Sequence, residues 1–118
     1  MNLVFFILAA ALGGFLRFAF EYYLPPVGAS AFPRATLIVN IVGAFLLGVV
    51  LALPGVWQIT LGVGLCGALT TFSGVSLQLH RRLNSSAFSA ALIYSVTLIA
   101  GGVIAAGAGL TIGRLFFG

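Results

Sequence analysis

Four stretches of about twenty mostly apolar residues follow one another, separated only by short polar, proline or arginine breaks, and this leaves few choices of fold. The runs cover residues 3–21, 35–53, 57–79 and 88–115. Each is long enough to cross a hydrocarbon layer of roughly 30 Å as a helix. In lipid every backbone N–H and C=O must find a partner inside the protein, so the pattern predicts an all-α membrane protein. Composition agrees: 62% of the 118 residues are hydrophobic and 5% charged, with a mean hydropathy of +1.27. A soluble domain is about one quarter charged. The acids and bases reduce to Glu21, Arg17, Arg34, Arg81, Arg82, Arg114 and His80, too few to cover a water-facing surface. The expectation is one four-helix transmembrane domain, residues 1–118, in the cell inner (plasma) membrane.

The formal charge of +4 does not indicate nucleic-acid binding, because the arginines flank apolar runs as topology determinants and headgroup anchors do. The first run lacks a basic leader and is followed by three of the same kind, so the chain is expected to start with its first membrane helix. Cys66 stands alone within an apolar run and reads as a small buried hydrophobe. Arg17, Arg34, Arg81 and Arg82 lie in or beside the first and third connections, whereas the other side keeps only Arg114. That bias predicts the first and third connections in the cytoplasm and both termini outside, provided that Arg17 acts on topology.

The first connection, Tyr22 to Arg34, carries Pro25, Pro26, Gly28 and Pro33, which stop one helix and start the next, and its Tyr22, Tyr23 and Phe32 suit an interface belt. Pro54-Gly55 reads as a tight turn, and His80 to Ala87, with Arg81, Arg82, Asn84 and Ser85, as a polar loop. His80 has no second ligand at metal spacing, and no nucleophile, base and orienting group can be assembled, so an enzyme is not expected. Gly101, Ala105, Gly109 and Gly113 recur every four residues in the fourth run, a seam for close helix packing within a subunit or between two. So thin a bundle predicts a dimer.

Polar side chains inside the runs are the informative ones. Thr36, Asn40 and Gly43 share a stripe of the second helix; Asn40 either lines a path or ties helices together. The third run holds Gly64, Gly67 and then Thr70-Thr71-Phe72-Ser73-Gly74, a helix-weakening cluster near mid-membrane. It is either a kink or a break whose freed backbone groups line a cavity or hold an ion. Tyr94, Thr97 and Gly101 form a hydroxyl-bearing stripe on the fourth. None of these stripes contains an acid or base, as a proton-coupled pump would require. Neutral donors and aromatic edges instead suit a passive path for an anion.

Three motifs resemble the Fluc (CrcB) fluoride channel family: Gly13-Gly14-Phe15-Leu16-Arg17-Phe18, Pro33-Arg34-Ala35-Thr36-Leu37-Ile38-Val39-Asn40-Ile41-Val42-Gly43, and Gly64-Leu65-Cys66-Gly67-Ala68-Leu69-Thr70-Thr71-Phe72-Ser73. With matching length and four spans, the resemblance covers the whole chain. It implies an antiparallel, dual-topology dimer with two pores that conduct fluoride passively and selectively out of the cell. By motif, Asn40 is the implied pore amide, Phe72 a ring-edge contact, Ser73 a neighbouring hydroxyl and Tyr94 the fourth-helix pore tyrosine. Ser76 and Thr97 complete the expected pore set. Gly67 and Thr70 offer backbone carbonyls to a structural sodium ion, and Arg17 is a vestibule or topology residue.

The chain also departs from the family pattern. Where the family usually has a second pore phenylalanine, a pore threonine and a glutamate, this sequence has Val75, Gly74 and Gln78, and Ala35 replaces a glycine. Together with the arginine bias, these losses favour a heterodimer with a homologous subunit over a homodimer. Two other readings compete with the channel. A small multidrug-type antiporter wants a carboxylate inside the first helix, and Glu21 lies at its end; a non-conducting membrane subunit would use the glycine seam alone.

Overall fold

A computed structural model describes residues 2–25, 33–84 and 88–118, and among these the chain is helical apart from short turns. In order come α1 (Leu3–Tyr23), α2 (Arg34–Val50), α3 (Gly55–Trp57), a π-helix (Gln58–Cys66), α4 (Gly67–Leu69), α5 (Phe72–Asn84) and α6 (Phe88–Phe117). The segments from α3 to α5 form one interrupted third span, so the expected four rods with a break in the third are found. The stretches Leu3–Tyr23, Gly55–Arg81 and Phe88–Phe117 are long and apolar enough to cross a membrane; α2, with 17 residues, is shorter. At 1.5 Å per residue α2 spans about 25 Å. Its last turn tightens through Ala52 N–H to Val49 O and Leu53 N–H to Val50 O.

The helix ends follow from local chemistry. Asn2 Oδ1 accepts the Val4 N–H at 2.9 Å and so caps the otherwise unpaired start of α1. That helix ends at Tyr23, with Leu24 as its non-helical cap directly before Pro25, and Arg34 Nε donates to the Pro25 carbonyl at 3.0 Å, drawing the start of α2 to the end of α1. At the far end of α2, Gln58 Nε2 donates to the carbonyls of Leu51 and Leu53, covering groups that a helix end leaves open. Pro26, Gly28, Phe32, Ser85 and Ala87, to which the sequence assigned turn, belt or loop roles, lie outside the described residues.

Two connections differ from expectation. Gly55 is the first residue of α3, and the turn is made by Leu51–Leu53 ahead of Pro54. His80 sits on α5, which continues to Asn84, because Val75, Leu79 and Leu83 recur every four residues, one apolar stripe of a helix with polar residues between. Its Nε2 pairs with Asn84 Nδ2 one turn on, at 2.9 Å. A polar helix end reaching past the apolar layer looks like a loop in composition alone.

Packing rests on close approach of backbones, since lipid provides little hydrophobic drive between helices. The fourth-run seam is internal: α6 lies along α2, with Gly109 against the Phe45 carbonyl, Gly113 against Val49 and Ala52, and Gly101 against Ile41. Gly48 of α2 answers from the other side, against the Ala106 carbonyl. The π-helix is held between two neighbours, facing α1 through Gly64 at Phe6 and Ala9, and α2 through Gly62 at Leu47 and Val50. In α1 only Gly13 is buried, seated on the Leu65 carbonyl and beside Ala68. The opposite face of α1, with Phe5, Leu8, Leu12 and Phe15, is exposed and apolar, as the lipid-facing side of a membrane helix is.

Candidate functional site

The third span loses its helix at two residues. Thr70 is extended, with φ −82° and ψ 161°, and α5 begins only at Phe72. A break within a membrane strands carbonyls on one side and N–H groups on the other. Here nearby groups take up several of them. Thr70 donates both its N–H and its Oγ1 hydrogen to the Cys66 carbonyl, at 3.0 and 2.9 Å. Thr71 caps α5, its Oγ1 accepting the Gly74 N–H at 3.0 Å and lying 3.2 Å from Ser73 Oγ. The Thr71 N–H donates to Asn40 Oδ1 at 3.2 Å, while Asn40 Nδ2 donates to the Thr36 carbonyl at 2.7 Å. Arg17 Nη1 reaches the Thr70 carbonyl at 3.4 Å.

Beside the break, α2, α5 and α6 enclose a hollow of about 490 Å³ lined by Asn40, Thr70, Thr71, Phe72, Val75, Leu79, Ser95, Leu98 and Ile99. It offers an amide, hydroxyls and an aromatic ring, with no acid or base in its lining. Phe72 stands on its lip with 84% of its surface exposed, at the start of α5, where the helix dipole and unpaired N–H groups favour negative charge. On the other side of Asn40 a second hollow of about 310 Å³ is lined by Gly43, Ala44, Leu47, Gly62, Cys66, Gly67 and Thr70 as well as Asn40 itself.

Of the residues singled out in the sequence, Asn40, Phe72 and Thr70 meet at the first hollow, and Gly67 joins Asn40 and Thr70 at the second. Ser73, Ser76 and Thr97 are exposed and outside both linings, and Tyr94 is wholly buried, 0% exposed, and outside both. The hydroxyl that α6 contributes is Ser95, which also donates to the Ala91 carbonyl at 2.9 Å. One residue of helix is about 100° of rotation, so Ser95, Leu98 and Ile99 face the hollow while Tyr94 turns inward. Polar spacing alone does not choose between adjacent stripes. Arg17 is half-buried, and its guanidinium is directed at the break. Without it the positive-inside bias rests on Arg34, Arg81 and Arg82 against Arg114.

An interrupted membrane helix beside an uncharged, donor-lined hollow defines a small multi-pass membrane protein. The comparison with known proteins is specific. A family model described as "CrcB-like protein, Camphor Resistance (CrcB)" matches residues 4–110, and the chain belongs to that family. It is 40% identical to "Fluoride-specific ion channel FluC 2" of Bacillus thuringiensis subsp. konkukian over 92% of this chain and 97% of the relative. It is also 40% identical to the Deinococcus radiodurans "Fluoride-specific ion channel FluC", over 90% of each chain. A Methylobacterium nodulans protein of the same name is 32% identical over 98% of both. These relatives are named as ion channels, not enzymes.

Proposed function

We propose that this chain is a subunit of a passive, fluoride-selective channel in the plasma membrane. The observation that carries the proposal is the hollow at the break, where the Asn40 amide and the exposed Phe72 ring meet without an ionised side chain in the lining. Fluoride is small and tightly hydrated, so a path must replace its water with close donors and positive ring edges without binding it too strongly. Neutral donors meet both demands. Asn40 has two amide hydrogens, of which one is committed to Thr36. An inside-negative potential, worth about 2.3 kcal/mol per charge per 100 mV, then drives the anion outward with no coupled ion.

A single chain leaves Phe72 and the hydroxyls of Ser73, Ser76 and Thr97 exposed, and an antiparallel second subunit is the cover we propose for them. Ser73, Ser76 and Thr97 would then face the path from the joint between subunits, with Tyr94 backing it from inside. The carbonyls of Gly67 and Thr70, residues that share one hollow, suit a hard cation such as sodium. One chain supplies only these two, and Arg17 occupies one side of the Thr70 oxygen, so a sodium site would need the matching pair from a second subunit.

A heterodimer with a homologous chain is favoured over a homodimer. Val75 lines the hollow beside Phe72, where a second ring would double the aromatic contacts, and relatives bearing the numbered name FluC 2 fit a chain with a homologous companion. The test is fluoride efflux from liposomes, read with an electrode, for the chain alone and together with a second four-span homologue of opposite arginine bias. The pair is expected to conduct well above the single chain. Full conductance by the chain alone would overturn the heterodimer, and no conductance by either preparation would overturn the channel.

A further inference from the structure

Two of the contacts at the break act on a single peptide group. We infer that the Thr70–Thr71 amide is clamped at both ends, its carbonyl by Arg17 of α1 and its N–H by Asn40 of α2, and that Arg17 is therefore a positioning residue for the anion path. The inference rests on the channel reading above only for its functional consequence. A trans peptide points its C=O and N–H in opposite directions, so the two clamps come from opposite flanks of the third span, as the packing requires. Gly13, seated on the Leu65 carbonyl and beside Ala68, makes the close approach of α1 to that span. Arg17 is one helical turn further along the same stripe and meets the Thr70 carbonyl at 3.4 Å. On the other flank Asn40 takes the Thr71 N–H at 3.2 Å.

The orientation of this one peptide plane sets the direction in which α5 departs, and hence where Phe72 stands. It also links charge to a neutral donor. The guanidinium pulls electron density toward the Thr70 oxygen, which makes the Thr71 N–H a stronger donor to Asn40 Oδ1. That in turn leaves the Nδ2 hydrogens more positive, the cooperative strengthening expected of a hydrogen-bonded chain in a low dielectric. Asn40 would thus present an anion with a better donor while the only full charge of the series stays outside the lining of either hollow. Arginine suits the other end too: it is a fixed cation with several donors at the carbonyl end of a helix segment.

The experiment reads hydrogen exchange of the Thr71 amide by NMR in the full-length chain in bicelles, alongside fluoride efflux and the membrane orientation of the chain. Arg17→Gln is expected to speed exchange about tenfold, the equivalent of one lost hydrogen bond of ordinary strength, and Asn40→Ala by as much. Because the clamp works as a unit, the double variant adds little to either single change. Arg17→Lys, which keeps the charge but not the fork, falls between; should Arg17→Gln fail to assemble, an acceleration of about two- to threefold in Arg17→Lys decides the same point. Unchanged exchange in the arginine variants overturns the clamp. In a preparation that conducts, Arg17→Gln lowers efflux about tenfold with orientation unaltered, and undiminished efflux overturns the positioning role. If neither the wild-type chain alone nor its pairing with the homologue carries fluoride, the channel reading fails, and the exchange data still uphold or overturn the clamp by themselves.

Discussion

The α2–α6 seam permits a matched pair of substitutions with opposite expected signs. A Cβ placed on Gly109 would overlap the Phe45 carbonyl oxygen, with the Phe45 carbonyl carbon at 2.9 Å and the Val49 nitrogen at 3.2 Å. All are backbone atoms, so no side chain can swing away and the two helices must part. Overpacking of this kind costs about 1–3 kcal/mol. The loss is expected near the upper end, because separation at Gly109 also loosens Gly113 and Gly48. Gly107, two residues away on the same helix, has nothing within 4 Å of its Cβ position. There alanine relieves a helix-interior glycine and is expected to be neutral or to stabilise by up to about 1 kcal/mol. Reversible denaturation in mixed detergent micelles measures both. Since α6 carries Ser95, Leu98 and Ile99 to the hollow whose opposite wall is Asn40 on α2, Gly109→Ala should also reduce fluoride efflux while Gly107→Ala leaves it intact. Equal destabilisation by the two would show that the seam is not packed as described.

Three further outcomes are expected. Phe72→Ile removes a ring edge from an exposed position, so conduction should vanish while expression and assembly persist; persisting conduction would mean that the ring is not a contact. Thr71→Val removes the cap that accepts the Gly74 N–H and should lower stability by about 1 kcal/mol in the same denaturation assay. Glu21→Gln should leave fluoride transport unchanged, since the only acid lies outside the lining of the hollow beside the break; loss of transport would point to proton coupling.

Much of the fold was legible because lipid imposes one rule, that apolar runs of sufficient length become helices, and the runs are plain in this sequence. The break was legible too, since Thr70, Thr71 and Gly74 weaken a helix through different means at one place. What was not legible depends on rotation and reach. The π-helical winding of residues 58–66 has no composition signal beyond Gly62 and Gly64. Whether Tyr94 or Ser95 meets the hollow turns on one residue of helical phase. Arg17 has the composition of a headgroup anchor, and only the seating of Gly13 on the third span reveals that its long side chain is directed at the Thr70 carbonyl. Asn40 carried two readings, path and glue. Its amide does tie α2 to the break, and the same amide lines the hollow.

The measurement that bears most directly on uncharged groups carrying a bare halide is ion release from liposomes, made with the chain and its companion, loaded with potassium salts of fluoride or chloride. A passive anion path predicts fluoride release only after valinomycin lets potassium follow, with chloride retained. Release of fluoride without valinomycin, or of chloride at a comparable rate, would contradict a selective, uncoupled path through the break in the third span.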